Sequence, residues 1–263
     1  MLQKAWNYKN ENQGTVEEIQ LILWDFGISI FTIQENREIS EVQSYLFSSP
    51  WNFEEGKQIF EQTGLFSHAK MVKKIWMTSP KHLIIPESLY DEGYANQWIR
   101  RFHFLNSEES LFSINLHPEL NAYIIFPIPE RWQLLLKDSF KNVQFESITK
   151  LALKQKNEKS EGKIKCHIIN LPKMTTISLI EIQQFVSHHV LAYEDSQELM
   201  YKIALLLQEK EIAQNLVHIH LEGIAPFWND LLQKLEEFFP LNVKTSNNTT
   251  LSLDFINRLI QCE

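Results

Sequence analysis

The chain has 263 residues, 44% hydrophobic and 12% aromatic, which is enough for one large core or two medium ones and excludes a disordered chain. A formal net charge of −8 argues against a general nucleic-acid-binding surface. No apolar run approaches the roughly 18 residues of a membrane span, the first residues lack a signal-type apolar stretch, and Cys166 and Cys262 have no zinc or redox spacing. The expectation is a reduced, cytoplasmic protein with neither a nucleic-acid nor a membrane partner.

In chain order, residues 1–18 are polar apart from Trp6 and Tyr8 and read as an N-terminal arm. Ile19–Trp24 and Ile28–Ile33 are apolar and β-branched. Glu38–Phe47 alternates, with Ile39 and Tyr45 on one face and Val42 and Leu46 on the other, which completes a three-strand meander. Asn52 with Glu55 three positions later marks a helix start, and Gly64 its stop. Lys73–Met77 and His82–Ile85 read as strands, and a helix carrying Trp98 and Phe102 follows from Asp91 to Phe104. The first half therefore has the order β-β-β-α-β-α. Leu111–Leu116 and Ala122–Phe126 form a hairpin turning through His117–Asn121. Pro127 and Pro129 introduce a short helix, Arg131–Phe140, and Val143–Thr149 reads as a strand. The charged run Lys154–Gly162 contains no apolar residue and ends in glycine, so it reads as the linker between a first half, 19–153, and a second, 163–263.

The second half is the most legible. Ile164–Asn170, Thr175–Ile182 and Gln184–Tyr193 are strand-like, followed by a helix at Ser196–Lys210, a strand at Leu216–Leu221, a helix at Phe227–Phe239 and a short strand at Leu241–Thr245. Asp195 with Glu198 gives the first helix a capping-box start, and Leu199, Met200, Ile203, Leu206 and Leu207 share one face. Pro226 suits the first turn of the next helix. Its stripe is Trp228, Leu231, Leu232, Leu235, Phe238 and Phe239, read as core, and Pro240 ends it. The apolar run Leu251–Ile260 reads as a short helix that docks on this half or on a partner.

Three stretches together resemble a bacterial family of domains of unknown function with a degenerate actin-like ATPase fold. They are the meander Leu21–Phe47, the segment Leu83–Asp91, and the C-terminal half with His188–Tyr193, Asp195, Tyr201 and Val217–Gly223. The resemblance implies a mixed α/β protein of two actin-like, ribonuclease-H-like halves, with no assigned activity.

In active members of that fold, glycine-bearing β-turns from both halves hold a magnesium nucleotide, with an aspartate in each of the two phosphate turns. The first such turn matches Asp25-Phe26-Gly27, but Ile28 stands where a small hydroxyl residue is expected and Ser29 comes one place late. The second matches Asn170-Leu171-Pro172-Lys173, which has no carboxylate and no glycine and loses an amide donor at Pro172. The adenosine-side turn, Glu222-Gly223-Ile224-Ala225-Pro226, carries one glycine of the usual pair. If a nucleotide binds, Asp25, Gly27 and Gly223 are the residues implied to hold Mg-ATP, and Gly223→Val should abolish that binding without unfolding the chain. The plain alternative for Asp25-Phe26-Gly27 is an ordinary tight turn. A kinase metal loop is excluded because Ile99-Arg100-Arg101-Phe102-His103 is no His-Arg-Asp partner.

His218 and His220 stand two apart on a predicted strand and share a face, which opens a zinc reading given a nearby carboxylate. Glu222, however, gives only His-x-His-x-Glu where an aspartate-rich metallohydrolase carries Asp-x-His or His-x-His-x-Asp, and hydrogen-bonded histidines are the plain alternative. His188 and His189 point to opposite faces, as do Cys166 and His167. No nucleophile elbow occurs, and the seven glycines leave phosphate loops scarce. Lys70–Lys74 and Lys154–Lys163 read as solvated surface. The sequence thus leads to a non-enzymatic actin-like scaffold that binds an unidentified protein partner without cofactor or metal. A nucleotide-binding ATPase or phosphotransferase is the alternative, and a metal-dependent hydrolase using His218 and His220 a third.

Overall fold

In the computed structural model, the described residues are 3–10, 14–116, 120–154, 164–181, 184–224, 228–239, 243–245, 255 and 259–260. They divide into two compact units, Met1–Ile148 and Thr149–Glu263. Residues 155–162 of the expected linker, the turn residues 117–119, Pro226, Cys262 and most of Leu251–Ile260 lie outside the described residues.

The first unit begins with β1 (Gln3–Lys9), β2 (Val16–Trp24), β3 (Gly27–Gln34) and β4 (Ile39–Leu46). The expected arm is therefore a strand: β1 pairs antiparallel with β4, and Trp6 stacks on Tyr8. The meander forms as read, because β2 carries the unbroken run Leu21, Ile22, Leu23 and Trp24, all fully buried. Each such side chain contributes roughly 1.5–3 kcal/mol by leaving water. One face assignment changes. A bulge shifts the β3–β4 register between Thr32 and Ile33, so Ile39 pairs with Ile33 and turns to the face of Val42 rather than that of Tyr45.

Helix α1 (Phe53–Gln62) starts where Asn52 accepts a hydrogen bond from the Glu55 amide, and Gly64 follows its end at a left-handed φ of 71°. Next come β5 (Val72–Thr78), β6 (Leu83–Pro86), α2 (Glu92–Phe102), β7 (Glu109–Asn115), β8 (Ala122–Pro129), α3 (Glu130–Ser139) and β9 (Gln144–Ser147). The main sheet runs β1-β4-β3-β2-β5-β9, and a separate sheet runs β6-β8-β7. This assigns the second helix of the half differently from the sequence reading. Helix α2 packs Ala95 and Ile99 with Ile85 and Ile125 of the small sheet, so it belongs to an insertion. The helix that leads into the last strand of the main sheet is α3.

The second unit contains α4 (Thr149–Lys154), β10 (Ile164–Leu171), β11 (Met174–Glu181), β12 (Gln184–Ala192), α5 (Ser196–Glu209), β13 (Val217–Gly223), α6 (Trp228–Phe238) and β14 (Val243–Thr245). Its sheet runs β12-β11-β10-β13-β14. The order β4-β3-β2-β5-β9 in the first unit is the same arrangement, so the two units share an architecture that their residues do not repeat. One sheet face presents Cys166, Ile168, Ile177, Leu179, Val217, Ile219 and Leu221 to α5 and α6. The α5 stripe is buried as read. In α6, Leu231 and Leu235 are buried, as is Phe239 just past its end, but Phe238 is turned outward and 48% exposed. Among the described residues, no helix is long and apolar enough to cross a membrane.

Candidate functional site

Asp25 and Phe26 form the tip of the β2–β3 hairpin, with Trp24 paired to Gly27. Gly27 is required by the chain itself, since a Cβ there would stand 2.3 Å from the Tyr45 carbonyl oxygen and 2.8 Å from the Trp24 ring. The hydroxyl that comes one place late is also committed. Ser29 Oγ lies 2.7 Å from Ser44 Oγ inside the β3–β4 pair, and Ile28 is fully buried.

Asp25 lines a cleft of about 620 Å³ together with Pro50, Trp51, Ser79, Lys81 and Glu109, extended by the segment Asn106–Glu108 and by Pro127 and Pro129. Lys81 Nζ lies 3.0 Å from Glu109 Oε1, and the Glu109 carboxylate also accepts from the Asn106 amide at 2.7 Å. The Asp25 carbonyl accepts from the Trp51 amide at 2.6 Å, and the Trp51 carbonyl accepts from Trp132 Nε1 at 2.8 Å. Trp51 has a left-handed φ of 53°, a strained conformation for a bulky residue that these bonds hold in place. Asp25 Oδ1 is buried with no hydrogen-bond partner among the described residues. Burial pushes the Asp25 carboxyl up to about 7; Ser79 and Lys81 pull it down, and Glu109 pushes it further up.

In the second unit the corresponding hairpin joins Leu171 to Met174 through Pro172 and Lys173. Lys173 takes a φ of 64°, its carbonyl accepts from the Tyr193 amide, and its ammonium lies 3.4 Å from Glu194. The expected adenosine-side turn is not a turn at Glu222 and Gly223. Both belong to β13, where Gly223 pairs with Asn170. Gly223 has a φ of 124°, and a Cβ on it would stand 2.1 Å from the Asn170 carbonyl oxygen.

His218 and His220 share a face of β13 as expected, but the structure gathers a different set. The parallel β10–β13 register places His167 opposite His220, while His218 lies opposite Lys165. His167 Nε2 lies against Glu222 Oε1, and His220 Nε2 lies 3.6 Å from Glu222 Oε2. On β12, His188 lies between Thr149 Oγ1, 2.9 Å away, and Ser178 Oγ, 2.8 Å away. The Cys166 thiol is fully buried and pushed up to about 12, which makes it unreactive. The sequence reading missed Ser79, Lys81 and Glu109 beside Asp25, because they come from the end of β5, the following loop and the inserted sheet. It missed His167 because only strand pairing brings it to His220.

Residues 19–241 match a family model described as "Protein of unknown function (DUF3822)". Among curated proteins, no match is found. Among solved structures, the chain is similar to a Bacteroides thetaiotaomicron protein described as having an actin-like ATPase fold and unknown function. The TM-score is 0.70 at 18% identity, covering 94% of this chain and 97% of that one. It is also similar to a PilM–PilN type IV pilus biogenesis complex, with TM-score 0.56, 11% identity and 88% of each chain. A third similarity is to the ethanolamine utilization protein EutJ of Carboxydothermus hydrogenoformans, with TM-score 0.50, 9% identity, and 96% and 92% covered. These likenesses establish an actin-like ATPase fold and no activity.

Proposed function

This chain belongs to the DUF3822 family, and we propose that it is a non-hydrolytic, protein-binding module built on the actin-like ATPase fold. The observation that carries the reading is that both glycines at the nucleotide-type positions are required by the protein's own backbone. Gly27 admits the Tyr45 carbonyl, and Gly223 admits Asn170. Their presence is explained without a phosphate.

Three further features support it. The second hairpin has Pro172 in place of an amide donor and no carboxylate for magnesium. Beside Asp25 the cleft sets Glu108 and Glu109 against a single lysine, Lys81, already paired with Glu109, so its field does not favour phosphate. The residues present therefore do not fit a magnesium nucleotide. On the inserted layer, Leu89, Tyr94, Phe102 and Phe104 are each exposed, large apolar side chains of the kind that a protein partner covers. One neighbour is itself described as a complex, PilM–PilN.

Calorimetric titration with Mg·ATP and Mg·ADP tests the proposal. No heat of binding at millimolar nucleotide is expected, and saturable binding in the micromolar range would overturn it. The second reading, a nucleotide held by Asp25, Gly27 and Gly223, is favoured by one feature, the partnerless Oδ1 of Asp25 at the cleft.

A further inference from the structure

The sheet face of the second unit that points away from α5 and α6 carries a compact cluster of donors. His167 on β10 and His220 on β13 are cross-strand neighbours, and Glu222 is the next residue of β13 on the same face. Both imidazole Nε2 atoms address the Glu222 carboxylate, one at each oxygen. The three donor atoms lie within 4.8 Å of one another. The Glu222 side chain is 0% exposed and that of His167 1%, while His220 is 28% exposed.

We propose that His167, His220 and Glu222 form a binding site for a divalent first-row transition-metal ion of the zinc type. The donor set is two imidazole nitrogens and one carboxylate oxygen, a combination that suits zinc and its neighbours and not magnesium or calcium. A tetrahedral ion with bonds of about 2.0–2.1 Å holds its ligand atoms roughly 3.4 Å apart. The 3.6 Å between His220 Nε2 and Glu222 Oε2 already has that spacing. The closer His167–Glu222 contact has to lengthen to that spacing when the ion enters. Three protein ligands leave a fourth coordination position, and the partial exposure of His220 leaves that side of the cluster open to water. His218, on the same strand face, is no part of the cluster. The proposal stands independently of the protein-binding reading.

The test uses the untagged full-length protein, stripped with chelator, reloaded with Zn²⁺ or Co²⁺ and dialysed. Metal content by mass spectrometry should return roughly one equivalent per chain, and the cobalt form should show the intense visible bands of a tetrahedral site. His220→Ala, at a partly exposed position, should weaken zinc binding by at least about 100-fold while circular dichroism stays unchanged. Glu222→Gln keeps the shape of the buried side chain and should also lose the cobalt bands, which provides a second variant if the first fails to fold. Sub-stoichiometric metal in the folded wild-type protein would overturn the proposal. So would undiminished binding in either folded variant. In those cases the cluster is an ordinary buried histidine–glutamate network.

Discussion

Gly223 and Asn170 are packed backbone against backbone, with φ 124° at the glycine and only 2.1 Å between the Asn170 carbonyl oxygen and the place a Cβ would occupy. The Asn170 carbonyl also accepts from the Ile224 amide at 2.7 Å, so it is pinned and has no room to retreat. Gly223→Ala forces a side chain into a conformation almost closed to L-residues, costing about 1–3 kcal/mol, and into backbone contact, costing a similar amount. Urea denaturation should show a loss of roughly 3 kcal/mol or more. Gly223→Val should be worse. Valine here should therefore disrupt the fold, contrary to the expectation from the sequence that it would spare it.

Asp25 makes stability depend on pH in the direction opposite to most carboxylates. Its folded pKa is raised to about 7 by burial, from an ordinary value of 3.8. Between those values the folded protein holds a proton that the unfolded chain has released, so stability falls as pH rises from about 4 to about 7 and then levels off. The full effect is at most about 4 kcal/mol. Asp25→Asn cannot ionise. Relative to wild type it should be close to neutral at pH 4 and stabilising at pH 8, and melting temperatures of the two proteins across that range measure the difference. A variant that is less stable than wild type at pH 8 would show that the carboxylate is stabilised by its neighbours.

Gly56 reverses the usual rule for a glycine in a helix. In an open α1, Gly56→Ala would add about 1 kcal/mol through helix propensity. A Cβ at Gly56, however, would stand 2.1 Å from the Trp132 ring, itself fully buried among Phe47, Trp51, Phe53 and Phe60. Trp132 is fixed by its bond to the Trp51 carbonyl and cannot yield cheaply. Gly56→Ala should destabilise by about 1–3 kcal/mol in chemical denaturation. Since Trp51 lines the Asp25 cleft, a change in tryptophan fluorescence should accompany the loss.

These residues also show what was legible in the sequence. The meander, the cap at Asn52 and the α5 stripe are written in neighbouring residues, so local patterns sufficed. The assignment of α2 failed because Leu83–Pro86 followed by α2 has the same local pattern as a strand and helix of the main sheet. What distinguishes them is that β6 pairs with β8 while β9 pairs with β5, and neither pairing leaves a mark on adjacent residues. The same holds at the site. Asp25 could be found from its turn, but the purpose of Gly27 is set by Tyr45 on another strand. His167 meets His220 only through the parallel register of β10 and β13. Patterns of period two and 3.6 report faces and not partners.

The exposed aromatics of the inserted layer separate folding from binding. Ala95 and Ile99 hold α2 against the small sheet, whereas Tyr94 is 56%, Phe102 63% and Phe104 84% exposed. Trp98 is partly covered, with the Arg101 guanidinium 5.5 Å from its ring centre. Replacing Phe102 and Phe104 by serine removes little buried area, so stability should change by less than about 0.5 kcal/mol. A partner that covers this surface would lose aromatic anchors of the type that dominate protein interfaces, and its affinity should fall by tenfold or more, about 1.4 kcal/mol. Site-specific photo-crosslinking from position 104 in living cells provides the readout. A discrete adduct that disappears on Phe102→Ser, in a protein of unchanged melting temperature, is the expected result. Absence of any adduct from position 104, or an adduct indifferent to Phe102, would remove this face as the binding surface.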